Sequence, residues 1–322
     1  MLGKTEHEVL KFLESGSGRY VGGSVIAKRL GISRAAVSKA VASLRRKGFL
    51  IESHPKRGYR LSSSDSLSEA NGFLRLLDTK VRFSVHYFKY LPSTQDVAGG
   101  LAERGAPEGT VVVAEEMSSG RGRMGRAWHA PPGGLWMTVL LRPGIPPEGM
   151  QVLSLLSGVA VAEAINDVSG LRAELKWPND VLVEGRKVCG ILVEASVEAD
   201  VIDYVLLGIG INVNNDLPED LKDLATSLRA LLRKRIPRVL LLAVTLSRLD
   251  ALYEEFKRGK VKKILNRWTS LSCTIGREVE AIYRGRTVRG KAIGLREDGS
   301  LILRLKDGSL EAVSAGDVVH LR

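Results

Sequence analysis

The sequence predicts an α+β protein in three parts, and three observations carry that prediction. Residues 1–62 show three helical segments followed by a basic hairpin. From about residue 81 to 271, strands alternate with hairpins and separated helices, a mixture that favours α+β over a doubly wound parallel sheet. After Gly276 come short strands with Gly-containing turns, an all-β unit of SH3-like size. At 322 residues the chain is long enough for two or three domains, each with its own core. The expected boundaries are 1–62, a linker at 63–80, a central domain at 81–272 and a small β-barrel at 273–322.

In the first part, Thr5-Glu6-His7-Glu8 reads as a capping box opening a helix that carries Val9, Phe12 and Leu13. A second helix is expected from about 24 to 30, ended by Gly31, and Ser33 is placed to cap a third. Val37, Ala40, Val41 and Leu44 follow the spacing of one buried helical face, which leaves Arg34, Ala35, Ser38 and Lys39 on the other. Strand-like runs at 49–53 and 59–61 flank His54-Pro55-Lys56-Arg57-Gly58. Three helices and a basic hairpin describe a winged helix-turn-helix, although helical modules for protein contacts share that geometry. Charge separates the two readings. The segment holds 13 Lys or Arg against 4 acids, which is +9 of the chain's +12, the footprint of a module that meets phosphate. Small Ala35 and Ser38 beside Arg34 and Lys39 suit a helix entering a major groove, with Lys56 and Arg57 on the wing.

Ser62-Ser63-Ser64-Asp65-Ser66 reads as a polar linker. Beyond it, strands are expected at 110–116 and 135–141, then an amphipathic helix from 151 to 168 with Leu155, Leu156, Val159, Ala160 and Ala164 on its core face. Segments 181–183 and 188–197 form a hairpin around Glu184-Gly185-Arg186-Lys187. Another strand covers 204–213, and two helices fall between 238 and 269. The last part has turns at Tyr283-Arg284-Gly285-Arg286, Glu297-Asp298-Gly299 and Lys306-Asp307-Gly308.

Apolar runs such as 239–244 are far too short to cross a bilayer, and the opening MLGKTEHEVL lacks a basic-then-apolar secretory pattern. A cytoplasmic location without membrane contact is expected. Cys189 and Cys273 stand far apart, and neither they nor the five scattered histidines show metal-ligand spacing.

Two stretches carry chemistry. Gly120-Arg121-Gly122-Arg123-Met124-Gly125-Arg126 combines glycines that let backbone approach a ligand with arginines that offer bidentate donors to phosphate and carboxylate oxygens. Its spacing is not that of a phosphate-binding G-x-x-x-x-G-K-[ST] loop, and a flexible basic surface loop has the same composition. It runs into Trp128, an aromatic able to stack on a base. The second stretch is Lys176-Trp177-Pro178-Asn179-Asp180, followed by Gly185-Arg186-Lys187-Val188-Cys189-Gly190-Ile191-Leu192-Val193-Glu194. A lysine ending a strand beside a fixed turn can hold a carboxylate while it is activated, and Asp180 can contribute to a Mg²⁺ shell completed by phosphates and water.

With Ser93-Thr94-Gln95, Gly208-Ile209-Gly210-Ile211-Asn212 and Ala225-Thr226-Ser227-Leu228, these stretches resemble the biotin protein ligases, whose motifs appear here in the same order. The N-terminal part, with Ser33-Arg34-Ala35-Ala36-Val37 and Lys56-Arg57-Gly58-Tyr59, is similar to the DNA-binding domain of the bifunctional biotin operon repressors, and the C-terminal part also matches. The resemblance implies a class II synthetase-like central domain with ATP and biotin as substrates and Mg²⁺ as cofactor. It implies activation of biotin as biotinyl-5′-AMP, transfer to a lysine of a biotin carboxyl carrier protein, and a homodimer that represses at operator DNA. It further implies biotin contacts from Ser93, Thr94, Gln95, Met117, Arg121, Gly122, Arg123 and Lys176. Nucleotide contacts are implied from Arg123, Arg126, Trp128, Asn179, Lys187 and Asn212, and catalytic roles for Lys176, Arg121 and Arg123.

Two positions depart from the family pattern. Met117 stands where the family usually has a biotin-contacting Gln, and Gln95 where Asn is commoner. A thioether packs and accepts weakly but donates no hydrogen bond. The R-R-x-x-G-G-G segment of lipoate-type ligases is absent.

Overall fold

The computed structural model describes residues 2–16, 18–62, 65–198, 200–283, 286–314 and 316–321. Ser63 and Ser64 of the expected linker, and Arg284 and Gly285 of one expected turn, lie outside the described residues.

Helices α1 (Lys4–Ser15), α2 (Gly23–Leu30) and α3 (Arg34–Arg46) precede the hairpin β1 (Ile51–His54) and β2 (Gly58–Leu61), giving the winged helix-turn-helix that the pattern predicts. Ser33 caps α3 by accepting from Ala36 N at 3.0 Å. The cap of α1 is a correction: it is Gly3, whose N–H donates to Glu6 Oε2 at 2.6 Å, and Thr5 lies inside the helix. Glu6 therefore serves as the returning carboxylate of the box in place of Glu8, and the helix starts two residues earlier than Thr5 suggested.

The middle of the chain runs α4 (Ala70–Leu74), β3 (Ser84–Leu91), α5 (Thr94–Glu103), β4 (Thr110–Met117), β5 (Leu135–Leu141), α6 (Met150–Ser169), β6 (Ala173–Lys176), β7 (Asp180–Val183), β8 (Arg186–Glu198), β9 (Val201–Ile211), α7 (Leu228–Leu232), α8 (Arg238–Lys257) and α9 (Val261–Leu271). Among the described residues the strands form a mixed sheet in the order β3-β4-β5-β9-β8-β7-β6, with β3 and β4 parallel and the other pairs antiparallel. Side-chain alternation decides what each face meets. Val111 and Val113 join the main core, whereas Val112 and Ala114 join a smaller cluster under α5.

Helix α6 was expected to be amphipathic, but it is buried on all sides from Val152 to Ala162. One side lies on the sheet and the other is covered by α8 and α9, so no polar stripe is required. The stretch 147–169 is long and apolar enough to cross a bilayer, yet here it is packed as a core helix.

The last part is a five-stranded antiparallel ladder, β13-β12-β11-β10-β14, built from β10 (Glu278–Tyr283), β11 (Arg286–Leu295), β12 (Leu301–Arg304), β13 (Leu310–Val313) and β14 (Asp317–His320).

Within the expected linker, residues 65–80 form a packed strap. It carries a 3₁₀ turn at Leu67–Glu69 and α4, and its two ends are tied to α8. Arg238, only 5% exposed, donates to Asp65 Oδ1 at 2.8 Å and to Glu115 Oε1 on β4 at 2.7 Å. Asp250 accepts from Lys80 N and Val81 N. The winged unit also rests on α8. Gly48 has a positive φ of 90°, and a Cβ there would fall 2.8 Å from Ala243 O. Only glycine meets both the conformation and the close approach.

Candidate active site

Every residue expected to contact biotin, nucleotide or Mg²⁺ lines one cavity of about 570 Å³. Its floor is the β8–β9 pair. Gly190 and Gly210 lie directly opposite each other across those strands, leaving a patch free of side chains. The Trp128 indole lies on this patch, so close that a Cβ on either glycine would come within 2.8 Å of the ring. Trp128 meets Trp136 edge to face, with centroids 6.2 Å apart, and Lys187 Nζ sits 5.2 Å from its centroid. The two glycines are therefore required by the indole's close approach. Trp128 Nε1 is buried and has no hydrogen-bond partner among the described residues.

One end of the cavity is polar and small. Ser93 caps α5, Thr94 Oγ1 accepts from Thr138 Oγ1 at 2.9 Å, and Gln95 Nε2 donates to Glu194 Oε2 at 3.0 Å. Met117 closes this end with its Sδ accepting from Thr94 N at 3.4 Å, so the thioether fills the acceptor half of an amide's role.

The loop between β4 and β5 closes into a narrow hairpin. Bridges pair Met117 with Ala130 and Arg121 with Ala127, and Trp128 N donates to Gly120 O at 2.8 Å. Its arginines are engaged with protein groups. Arg121 grips Asp96 through two bonds of 2.6 and 3.0 Å, with Glu194 3.9 Å away. Arg123 donates to Asn179 Oδ1 at 3.1 Å and to Gly316 O of the C-terminal part at 3.2 Å. Asp180 is ion-paired with Lys187 at 2.6 Å. No group of three or more His, Cys, Asp or Glu side chains placed to hold a metal occurs among the described residues. One paired carboxylate is no cage for a resident cation, and Mg²⁺ beside Asp180 needs phosphate oxygens to complete its shell.

Lys176 differs from these cations. It ends β6, lines the cavity, and makes no hydrogen bond or ion pair among the described residues. A half-buried ammonium without a counter-ion is an anion site in waiting. Asn179 donates Nδ2–H to Ile191 O at 2.8 Å, and Asn212 accepts from Asn215 Nδ2 at 3.1 Å.

Several residues in or beside the cavity escaped the sequence reading. Asp96 and Glu194 hold Arg121, and nothing in their spacing announces a partner 25 residues or more away. Leu217, Leu221 and Leu224 form an apolar lip, and Ile282, Val318 and Val319 bring the C-terminal sheet to the mouth. Periodicity along one strand does not show which other domain it will face.

On the winged unit, Arg34, Ala35, Ser38 and Lys39 are exposed together on α3, and Lys56 and Arg57 are exposed at the hairpin tip. Tyr20, unforeseen, organises this wing. The Arg57 guanidinium stacks 4.4 Å from its ring centroid, and its hydroxyl donates to Glu52, which also binds Arg60.

Comparison with known proteins gives three family matches. The Biotin/lipoate A/B protein ligase family matches residues 87–212, the Biotin protein ligase C terminal domain matches 274–321, and an HTH domain matches 5–60. The bifunctional ligase/repressor BirA of Bacillus subtilis is 37% identical over 96% of this chain and 96% of its own. The Escherichia coli protein of the same name is 29% identical over 94% and 93%. Among solved structures, the biotin protein ligase from Aquifex aeolicus in complex with biotin and ATP superposes with a TM-score of 0.66 at 33% identity, covering 74% of this chain and 99% of that one.

Proposed function

The chain belongs to the biotin protein ligase family, and from that premise we propose that it joins biotin to a carrier lysine at the expense of ATP and represses transcription through its winged helix. The observation that carries the ligase reading is a single cavity lined by every expected substrate contact with an unneutralised Lys176 at its edge. The biotin carboxylate attacks the α-phosphorus of ATP, the bond to the β-phosphate oxygen breaks, and pyrophosphate leaves. The carrier lysine's neutral amine then attacks the acyl carbon of biotinyl-5′-AMP, AMP departs, and the amine loses a proton.

The residues divide this work by chemistry. Ser93, Thr94 and Gln95 offer hydroxyl and amide groups to the ureido ring at the polar end, where Met117 packs. Lys176 draws the biotin carboxylate and the α-phosphate together and offsets the charge that grows on their oxygens. Trp128 stacks on adenine, while Asn179, Lys187 and Asn212 support the nucleotide. Asp180 would help hold a Mg²⁺ ion carried by the ATP phosphates, and the ion would offset their charge. Arg121 and Arg123 must exchange Asp96, Asn179 and Gly316 for ligand oxygens, so the loop tightens only when substrate is present. Biotin-dependent exchange of labelled pyrophosphate into ATP tests the first step, and no exchange above the biotin-free rate contradicts it.

Two variants probe the site's finer assignments. Arg123→Gly is expected to form the adenylate yet release it early, because the loop then loses the side chain that spans Asn179 and the C-terminal part. Biotin on bystander lysines, read by mass spectrometry, checks this, and undiminished retention of biotinyl-5′-AMP contradicts it. Met117→Gln keeps an acceptor for Thr94 N–H and adds a donor. Biotin is expected to bind more tightly by about 0.5–1.5 kcal/mol, the net worth of one neutral hydrogen bond. Calorimetry giving equal or weaker binding means the pocket is already fitted to the thioether.

On DNA, one α3 helix covers a half-site, so the repressing species is a homodimer on a palindromic operator. ATP, biotin and reduced Cys189 and Cys273 fit work in the cytoplasm.

A further inference from the structure

The strand carrying Lys176 is an edge strand, and its free side is held by the C-terminal part of the chain. Strand β6 pairs with β7 on one side only. On the other side, Leu175 O accepts from Cys273 N at 3.0 Å, and Leu175 and Ser272 form a parallel bridge. Immediately after Lys176, Trp177 N donates to Thr274 Oγ1 at 3.1 Å, and the Trp177 indole Nε1–H donates to Gly299 O at 3.1 Å. Thr274 is fully buried, and its Oγ1 lies 3.0 Å from His320 Nε2 on β14. A hydroxyl has one proton to give. Having accepted from Trp177, Thr274 keeps that proton and a second lone pair, so its oxygen bonds His320 Nε2 with either neutral tautomer of the ring.

We infer that Thr274 and His320 are positioning residues for the adenylation step: a chain of two hydrogen bonds, from Trp177 N–H to Thr274 Oγ1 and between Thr274 Oγ1 and His320 Nε2, fixes the backbone that aims Lys176 into the cavity. The surroundings keep the ring neutral. Burial and the nearby cations Lys176 and Arg277 push His320 down to about 4, so the imidazole is uncharged at neutral pH. Neither residue lines the cavity, so neither touches substrate. The last strand of the chain thus acts on the chemistry through a peptide N–H. The inference rests on the assignment of Lys176 to adenylate formation.

Biotin-dependent pyrophosphate exchange by the full-length protein, with kcat and KM resolved, tests the chain. Thr274→Val removes both bonds and is expected to lower kcat roughly ten-fold, the rate equivalent of leaving a buried N–H unpaired, with KM for ATP and biotin nearly unchanged. His320→Leu removes only the second bond and is expected to lower kcat by a smaller factor. The double variant should be no slower than Thr274→Val alone, because the bonds are in series. Thr274→Ser and His320→Gln keep a donor and an acceptor in place and should recover most of the rate. Should the apolar variants fail to fold, a large loss of kcat in either conservative variant overturns the proposal. So do wild-type kcat in Thr274→Val, losses that multiply in the double variant, or a change confined to KM. No exchange by the wild-type protein would instead overturn the ligase reading itself, which keeps the two failures distinct.

Discussion

Lys176→Ala leaves a folded protein that no longer makes adenylate. The fold tolerates the change because Lys176 has no ion-pair partner among the described residues, so its loss orphans no carboxylate. The chemistry does not tolerate it. Arg121 and Arg123 leave Asp96, Asn179 and Gly316 only to close over the ligand, and Lys187 is paired with Asp180, so none of them stands at the position of the Lys176 ammonium. No nearby group replaces the ammonium at the reacting carboxylate. Removing one fixed donor from a charge-developing transition state costs about 10²–10³ in rate, and an ammonium between two anions belongs at the upper end. Pyrophosphate exchange at saturating biotin and ATP measures it, with the melting temperature confirming the fold. A variant exchanging at the wild-type rate would remove Lys176 from the mechanism.

The paired change Arg34→Ala and Lys39→Ala abolishes discrimination between operator and random DNA. Both side chains are exposed on α3 beside small Ala35 and Ser38, and the buried face of that helix, Val37, Ala40, Val41 and Leu44, is untouched. The two roles separate in single variants. A lost base contact costs about 1–3 kcal/mol at one position and relaxes preference there, whereas a lost phosphate contact weakens binding to all DNA and reduces the salt slope by about one. Gel-shift titrations at several salt concentrations distinguish them. Point variants are a sharper probe than deleting residues 1–62, because α8 would lose the cover it receives at Gly48 and Arg46. Unchanged operator binding by the double variant would place the recognition surface elsewhere.

Local pattern made much of this legible. Ser33 and the Val37, Ala40, Val41, Leu44 spacing located α3, and the apolar run at 204–213 located strand β9 with Gly208 and Gly210 in it. What that strand does with Gly210 was not legible, since the reason is the Trp128 indole lying across Gly190 and Gly210 from a loop about 80 residues earlier in sequence. Helix α6 was misjudged because its outer cover, α8 and α9, comes more than 60 residues later. The arginine loop was read as a set of free donors. Asp96, Asn179 and Gly316 hold those donors, and such pairings follow from tertiary contact, not from spacing. His320 looked like one more scattered histidine, and only the return of β14 to the side of β6 gives it Thr274 and Lys176 as neighbours.

The central claim is covalent transfer. The most direct measurement incubates the protein with biotin, MgATP and a purified biotin carboxyl carrier domain, then locates the product by intact mass and peptide sequencing. The expected result is one biotin per carrier on a single lysine, release of AMP and pyrophosphate in equal amounts, and no labelling without ATP. An unmodified carrier after many turnover times, from a protein that binds biotin and is fully folded, would contradict it.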